Sequence, residues 1–495
     1  MTSLATNLTT TAARTPQSTA IILDDVRLSY ADLDTATAKM AGYLAAHGIQ
    51  PGDRVALMLP NIPAFAVIYY GALRAGAVVV PMNPLFKVRE IEYYLSDSGA
   101  KMIFAMPGAA GDGAKAAGVT FVPVEGADAV AMAGILNDVE PITEVVDRAD
   151  SDTAVILYTS GTTGRPKGAE LTHVNLNSNQ AVTARTLLTL AADDVVMGCL
   201  PLFHVFGMTC GLNTSIAVGA SLSLITRFDP DTALDVIARD RVTVFEGVPT
   251  YYMGMLSKAG SRDTDLTSLR LAAAGGSSLP VEVLHKFEAT FGCPILEGYG
   301  LSETSPVACF NHPDAERKPG SIGFPIEGVQ MAVLDDAGAE VADGEPGEIV
   351  IRGDAIMRGY WNNPQATAEA IKDGWFHSGD LGKRDSDGYF YIVDRIKDMI
   401  LRGGMNVYPR EVEEVLYEHP AIAEAAVVGV PHEMLGEEIA AFVVLAPGQT
   451  ADPTEISQYV KDRIAAYKYP RTVTIVESLP KTASGKILKR ELPRD

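Results

Sequence analysis

The sequence predicts an α/β protein that contains more than one folding unit. Short apolar runs alternate with helical spacings up to residue 297, hairpin-like segments begin near Val329, and a compact mixed pattern follows Arg395. Strands that alternate with helices indicate crossover units and largely parallel sheets. The length of 495 residues corresponds to roughly three domains of about 150 residues each.

The first series of elements lies before residue 106. Residues 53–60 (DRVALMLP) form a short apolar run after the turn signal Pro51-Gly52, which predicts a buried strand. Residues 77–82 and 101–105 are further strand candidates, separated by a helical segment at 90–95. A second series of strand candidates follows at residues 195–200, 220–225, 242–246, 271–274 and 294–297.

The pattern changes near Val329. Residues 330–334, 347–352 and 389–393 alternate with Gly/Asp turns, which is typical of antiparallel hairpins. The residues after Arg395 then follow the order helix, strand, strand, helix, strand, which predicts a small α+β domain. A short hinge is expected near residue 397.

Composition excludes several classes of protein. The chain has 40 Lys+Arg against 62 Asp+Glu, a net charge of −22, which opposes binding to nucleic acid and to anionic lipid. Residues 1–15 lack the apolar core of a secretory signal, and the most apolar stretch (64–82) is interrupted by Arg74, so no integral membrane segment is expected. The four cysteines form no close pair, which favours buried thiols in the cytoplasm and gives no support for a zinc site.

A glycine-rich loop follows the apolar strand at residues 153–157. Residues 158–168 read YTSGTTGRPKG, in which glycines free the backbone N–H groups, hydroxyl groups donate, and a lysine adds charge. Pro166 occupies the position where a Walker A loop needs glycine, so this is a different phosphate cradle or a polar surface turn. The phosphate-binding candidates are Thr159, Ser160, Gly161, Thr162, Thr163, Gly164 and Lys167.

The loop and six further motifs resemble the adenylate-forming superfamily of acyl- and aryl-CoA ligases. In chain order these are PLFHVFG (201–207), AAAGGSSLP (272–280), EGYGLSETSP (297–306), GWFHSGDLG (374–382), the run from YIVDRIKDMI to NVYPREVE (391–413) and PKTASGKILKREL (480–492). The resemblance implies a large N-terminal domain (1–396) of two doubly wound sheet subdomains and a small β-barrel-like subdomain. A mobile α+β C-terminal domain (397–495) would follow, with Lys397 as its hinge.

The reaction implied by the resemblance has two steps. A carboxylate attacks the α-phosphate of ATP to give acyl-AMP and pyrophosphate, and a thiol then displaces AMP. The first step joins two anions, so the protein must neutralise charge and hold an in-line geometry. The implied cofactors are ATP, Mg²⁺ and CoA. CoA is favoured as acceptor by Gly403 and Gly404 in RGGMNV, with a separate carrier protein as the main rival.

The resemblance also assigns individual roles. Glu303 matches the Mg²⁺ ligand, and a hard cation suits a carboxylate. Thr304 is placed to bond the α-phosphate. Lys486, in TASGK, is expected to bridge carboxylate and phosphate during adenylation, and His204 to gate the acyl pocket.

Nucleotide recognition is expected from a second set. Tyr299 should lie against the adenine, with room left by the glycines around it. Asp380 matches the carboxylate that accepts both ribose hydroxyls, with Arg395 as its companion. The other members are Gly275, Gly276, Ser277, Glu297, Gly298, Gly300 and Ile392.

The identity of the acid is less constrained. The pocket candidates Phe206, Cys210, Val248, Gly298 and Val307 are small or apolar, which favours an apolar acid. Gly298 stands where malonate-type ligases carry arginine, which disfavours a small dicarboxylate. A fatty acid is the first interpretation, and an aryl acid of the coumarate or benzoate kind is the alternative.

Two other function classes compete with a ligase. The absence of a GxSxG elbow disfavours an esterase. A degenerate, non-catalytic nucleotide-binding module remains the rival, although Glu303, Asp380 and Lys486 are all present. The expected partners are small molecules, and a homodimer is possible.

Overall fold

The computed structural model describes residues 3–126, 132–159, 165–259 and 264–494. Within these ranges the chain forms four β-sheets with helices packed around them. The helices are α1 (Thr6–Arg14), α2 (Tyr30–Ala46), α3 (Pro63–Arg74), α4 (Val88–Ser98), α5 (Ala109–Ala117), α6 (Ala133–Leu136), α7 (His173–Val182), α8 (Thr214–Val218), α9 (Pro230–Asp240), α10 (Pro249–Ala259), α11 (Val281–Phe291), α12 (Pro364–Ala370), α13 (Pro409–Tyr417) and α14 (Pro453–Lys461).

The strands are β1 (Thr19–Leu23), β2 (Val26–Ser29), β3 (Arg54–Met58), β4 (Val78–Pro81), β5 (Ala100–Ala105), β6 (Thr120–Pro123), β7 (Thr153–Thr159), β8 (Lys167–Thr172), β9 (Val195–Gly198), β10 (Ser221–Leu224), β11 (Val244–Gly247), β12 (Leu271–Ala274), β13 (Ile295–Gly300), β14 (Val307–Phe310), β15 (Phe324–Pro325), β16 (Val329–Leu334), β17 (Gly347–Gly353), β18 (Gly359–Tyr360), β19 (Ile371–Lys372), β20 (Trp375–Arg384), β21 (Phe390–Arg395), β22 (Ile400–Arg402), β23 (Met405–Val407), β24 (Ile422–His432), β25 (Gly436–Leu445) and β26 (Thr472–Ile475). Two π-helical segments, Thr183–Leu187 and Gly207–Asn213, interrupt the α-helical pattern.

The largest sheet has nine strands in the order β15-β14-β13-β12-β11-β9-β10-β1-β2. The strands from β13 to β1 are parallel to one another. The carboxyl ends of β9, β11, β12 and β13 therefore lie at one edge, which is where ligands bind in open α/β sheets. The ends of β9, β12 and β13 and the segments after them carry three of the sequence motifs, so the topology brings these motifs together.

The second sheet has seven strands in the order β18-β8-β7-β4-β3-β5-β6, of which the five from β7 to β6 are parallel. Helix α3 contacts β3 and β4 of this sheet and β1 of the first sheet. All twelve of its residues are buried, including Arg74, whose guanidinium donates to the Asp34 carboxylate at 2.8 Å. The apolar stretch seen in the sequence (64–82) thus comprises most of helix α3 and all of strand β4, both enclosed by protein. None of the helices in the described ranges combines the length and apolarity that crossing a bilayer requires.

The remaining two sheets are smaller. Strands β16, β17, β20 and β19 form an antiparallel sheet that β21 extends from β20, in the region predicted as the β-barrel-like subdomain. The fourth sheet, β23-β22-β25-β24 with β26 parallel to β25, begins at Ile400. Helices α13 and α14 pack on one of its faces. The two predicted doubly wound sheets and the α+β C-terminal unit are confirmed.

Candidate active site

A buried carboxylate stands between a tyrosine and an arginine at the edge of the first sheet. Asp380 of β20 is 3% exposed and lies directly opposite Arg395 of β21. The Arg395 Nε is 2.9 Å from Asp380 Oδ1, and the Tyr299 hydroxyl donates to Oδ2 at 2.7 Å. Burial, with the nearby Asp380 charge, raises the pKa of Tyr299, so its hydroxyl stays protonated and donates. The three predicted nucleotide residues therefore meet in one cluster.

A second buried carboxylate lies beside Thr159, at the start of the glycine-rich loop. Glu303, in the 3-10 turn Ser302–Thr304, is 7% exposed. Its Oε1 accepts from the Tyr360 hydroxyl at 2.9 Å and from the Thr159 hydroxyl at 3.2 Å. The Lys167 Nζ lies 5.1 Å from the centre of the Tyr360 ring. Burial, reinforced by the Glu303 charge, raises the pKa of Tyr360, so the tyrosine acts as a donor.

Tyr360 was missed by the sequence reasoning. It stands in RGYWNN, which resembles an ordinary polar turn, and the only local signal is the aromatic pair with Trp361. The residue reaches Glu303 because β18 pairs with β8, in the register Tyr360 opposite Ala169.

The ends of the glycine-rich loop are fixed by a strand pair. Thr159 ends β7, Lys167 begins β8, and the two residues lie opposite each other in the antiparallel ladder. The remaining candidates lie outside the described residues, and their role stays a prediction: Ser160, Gly161, Thr162, Thr163 and Gly164.

The Thr304 hydroxyl is engaged within its own turn. It accepts from the Leu301 N–H at 2.8 Å and lies against the Leu301 and Pro306 carbonyls, and the residue has no exposed surface. Contact with a phosphate would require the hydroxyl to exchange partners, so the predicted role of Thr304 stays a prediction.

Gly275 and Gly298 are packed against protein side chains, which corrects the expectation that these two leave open space, whereas Gly276 is exposed. A Cβ atom at Gly298 would lie 2.0 Å from the Phe310 ring, because Gly298 stands opposite Phe310 in the β13–β14 pair. A Cβ at Gly275 would lie 3.1 Å from Phe206. At Gly300 it would lie 1.8 Å from the Pro306 carbonyl oxygen. These glycines allow close packing of the site's walls.

The buried side chain of Glu297 supports the loop after β12. The Oε1 of Glu297, which is 3% exposed, accepts from the Leu279 N–H at 3.0 Å. Burial raises the pKa of Glu297 to about 7, although Arg410 opposes the shift. Gly276 and Ser277 remain exposed on this loop. Glu297 thus positions the loop, and its predicted contact with a cofactor stays a prediction.

The acyl-pocket candidates lie around the end of β11 and the segment after β9. Val248 is 3.2 Å from a Cβ placed on Gly276, and Phe206 packs on Gly275. Cys210 lies in the π-helical segment and Val307 in β14, and both are buried.

Asn61, which follows β3 of the second sheet, holds the chain that leads into the PLFHVFG segment. The Asn61 amide donates to the carbonyls of Gly198 and Leu200 at 2.9 and 2.8 Å, and its oxygen accepts from the Leu202 N–H at 2.9 Å. Asn61 was also missed, since its partners are more than 130 residues away. The half-buried His204 follows this anchor. Burial, with the nearby Lys486 charge, lowers the pKa of His204 to about 4, so the imidazole is neutral at pH 7.

The C-terminal unit delivers a lysine to the same place. The Thr250 hydroxyl, at the start of α10, donates to the Gly485 carbonyl at 3.1 Å. Burial, together with the Arg395 charge, lowers the pKa of the next residue, Lys486, to about 8, against the opposing effect of Asp380. Lys486, His204 and the Asp380 cluster therefore lie within electrostatic reach of one another.

Comparison with known proteins identifies this arrangement. The profile described as "AMP-binding enzyme" matches residues 8–361, and the one described as "AMP-binding enzyme C-terminal domain" matches residues 411–486. The chain belongs to the AMP-binding enzyme family. It is an AMP-forming acid–thiol ligase, an ATP-dependent acyl-CoA ligase of the adenylate-forming superfamily.

Relatives match along nearly the whole chain. A long-chain-fatty-acid–CoA ligase of Bacillus subtilis is 39% identical, over 98% of this chain and 93% of its own. A feruloyl-CoA synthase of Amycolatopsis is 40% identical, over 98% of this chain and 97% of its own. The crystal structure of a benzoate CoA ligase from Burkholderia xenovorans superposes with a TM-score of 0.92 at 31% identity, covering 100% of both chains.

The remaining candidate residues of this AMP-binding enzyme lie in the third sheet, in the fourth sheet or in the link between them. Ile392, in β21, accepts at its carbonyl from the Arg410 guanidinium of α13. Lys397 is exposed in the 3-10 turn Ile396–Asp398, between the third and fourth sheets. Gly403 and Gly404, with φ of 58° and 81°, form the turn of the β22–β23 hairpin, and Gly403 packs on Leu435 of the same unit.

Proposed function

We propose that the enzyme activates an apolar carboxylic acid, with a fatty acid as the first candidate, and transfers the acyl group to CoA. The observation that carries this proposal is the Thr250–Gly485 contact, which holds Lys486 beside His204 and the Asp380–Arg395–Tyr299 cluster. This arrangement supports the role of the Lys486 ammonium group in bridging a carboxylate and an α-phosphate. An aryl acid is the second candidate, favoured by the 40% identity to a feruloyl-CoA synthase.

In the first step, a carboxylate oxygen forms a bond to the α-phosphorus and the bond to the bridging oxygen of pyrophosphate breaks. The carboxylate is already ionised at pH 7, so no general base is needed. Lys486 would lower the repulsion between the two anions, and Asp380 would accept the ribose hydroxyls. In the second step the sulfur of CoA bonds to the acyl carbon, its proton passes to solvent, and AMP leaves with the electron pair of the broken C–O bond.

The residues present are compatible with Mg²⁺. The ion commonly takes one or two carboxylates from the protein and the rest of its ligands from phosphates and water. Among the described residues no group of three or more His, Cys, Asp or Glu side chains could form a separate protein-built metal site. Glu303 would hold the ion, with Thr159 and Tyr360 orienting its carboxylate. When bound, Mg²⁺ would neutralise phosphate charge.

We also infer that the C-terminal unit, from about residue 397, moves between the two steps. Its exposed link at Lys397 supports this inference, as does the position of the Gly403–Gly404 turn on the unit that would rotate. The four buried, unpaired thiols support a reducing compartment such as the cytoplasm. Light scattering would test whether the chain forms the homodimer that the sequence leaves open.

Carboxylate-dependent ATP–pyrophosphate exchange tests the proposal. A panel from acetate to palmitate, with cinnamate, benzoate and malonate, should give exchange with at least one apolar acid and little with malonate. Exchange with no acid in the panel would favour the non-catalytic nucleotide-binding module.

A further inference from the structure

A deeply buried glutamate lies beneath the acyl-pocket candidates. Glu246, in β11, is 1% exposed, and its Oε1 has no hydrogen-bond partner among the described residues. Native proteins rarely leave a buried polar atom unpartnered, and such groups often occur at functional sites. The adenylation residues do not use this carboxyl group.

Two segments of the chain lead from the neighbourhood of Lys486 and His204 toward Glu246. Val248 directly follows β11, and its side chain lies 3.0 Å from where a Cβ atom of Gly485 would stand; Glu246 lies two residues earlier, roughly 7 Å back along the strand. Gly211 lies seven residues after His204, within the π-helical segment Gly207–Asn213. The two paths meet, because a Cβ at Gly211 would lie 3.4 Å from Glu246 Oε2.

The Cys199 and Cys210 thiols and the Tyr252 hydroxyl lie within electrostatic reach of Glu246, and the Tyr252 hydroxyl donates to the Ala273 carbonyl. The Cys199 thiol donates to the Glu246 backbone carbonyl at 3.3 Å, so it leaves the carboxyl group unpaired. Burial raises the pKa of Glu246 to about 8, and burial followed by the Glu246 charge raises the pKa of Cys210. A neutral carboxyl group can both donate and accept a hydrogen bond.

We propose that Glu246 is a specificity-determining residue whose carboxyl group hydrogen-bonds a hydroxyl group at the far end of the acid substrate. This inference rests on the proposed function and narrows its substrate class to an acid with an apolar body and one distal hydroxyl. Two sources share this chemistry: an aryl acid with a phenolic hydroxyl and an alkyl acid with a terminal hydroxyl. A site built to hydrogen-bond a substrate hydroxyl discriminates against the analogue that lacks it.

Matched substrate pairs test the inference. The pairs are 4-hydroxycinnamate with cinnamate and 8-hydroxyoctanoate with octanoate, compared by kcat/KM in ATP–pyrophosphate exchange. The native enzyme should prefer the hydroxylated member of one pair by about 10-fold or more. The pair that shows the preference distinguishes the phenolic source from the alkyl source.

Three variants separate this role from a structural one. Glu246→Leu should reduce the preference to within about 2-fold, since an apolar group cannot hydrogen-bond the hydroxyl. Its kcat/KM for the unsubstituted acid should be retained. Glu246→Gln, which keeps a donor and an acceptor, should retain part of the preference. Glu424→Gln changes a carboxyl group of the C-terminal unit that also has a buried oxygen without a partner, and it should leave the ratio unchanged.

The outcomes distinguish failure of this inference from failure of the proposed function. Equal kcat/KM within both pairs for the native enzyme, or an unchanged preference in Glu246→Leu, would overturn the inference and leave the ligase assignment intact. Exchange with none of the four acids or the wider panel would overturn the proposed function itself. The comparison of substrate pairs uses the native enzyme alone. Equal kcat/KM values within both pairs would therefore still overturn the inference if Glu246→Leu does not fold.

Discussion

The hydroxyl group of Thr250 donates a hydrogen bond to the carbonyl oxygen of Gly485 at 3.1 Å, across 235 residues of sequence. Gly485 has φ of +82°, and a Cβ atom there would lie 2.7 Å from the Thr250 oxygen. The contact joins the start of α10 to the loop that carries Lys486. It therefore holds the lysine-bearing loop against the N-terminal part of the chain.

Replacing Lys486 should separate the two half-reactions. Lys486→Ala should lower ATP–pyrophosphate exchange by about 100-fold or more, because a positioned charge at the developing transition state is lost. Conversion of synthetic acyl-AMP to acyl-CoA should be retained. Lys481→Ala is the control, since its ammonium pairs with Glu424 at 2.6 Å within the C-terminal unit. Equal loss of both half-reactions in Lys486→Ala would contradict the assigned role.

Replacing Gly485 should act through the contact itself. Gly485→Ala places a methyl group against Thr250 and should lower exchange while leaving thioester formation from acyl-AMP close to that of the native enzyme. Gly448→Ala is a matched control, because Gly448 also has a positive φ, of +76°, but nothing lies within 4 Å of its Cβ position. The same loss of exchange in both variants would assign the effect to backbone strain.

The Tyr360 hydroxyl should tune the response to Mg²⁺. Tyr360→Phe removes a donor at 2.9 Å from Glu303, and loss of such an orienting partner typically weakens metal binding by about 10-fold or more. The Mg²⁺ concentration that gives half-maximal exchange should rise accordingly. Tyr391→Phe is the control, because that hydroxyl donates to Asp385 at 3.0 Å, in a contact that does not involve Glu303. An unchanged Mg²⁺ response would show that Tyr360 does not orient Glu303.

The pH dependence of adenylation should report Lys486. Its folded-state pKa of about 8 lies below the ordinary 10.5, so the ammonium is protonated below pH 8 and neutral above it. The kcat/KM for exchange, which reports the free enzyme, should therefore fall as pH rises through about 8. Lys486→Arg keeps its charge and should lose this descending limb. A limb that persists in the arginine variant must come from another group.

Much of the fold could be predicted because its signals are local. The strand at residues 53–60 was recognised from a short apolar run after Pro51-Gly52, and β3 occupies Arg54–Met58. The sequence likewise predicted the cluster of Tyr299, Asp380 and Arg395, through a resemblance in motifs, and the structure brings these residues together. The space around Gly298 could not be predicted, since only the register of β13 against β14 places Phe310 there.

By itself, the sequence determined the alternation of strands and helices, the order of the motifs and the chemistry that each motif offers. The tertiary structure decided which groups meet: Tyr360 with Glu303, Asn61 with the loop before His204, and Glu246 with Gly211. These pairings depend on strand register and crossover connections between segments far apart in the chain, whereas hydrophobic period and turn residues act over a few positions. Long-range partners of a buried polar group therefore become visible only when the sheets are assembled.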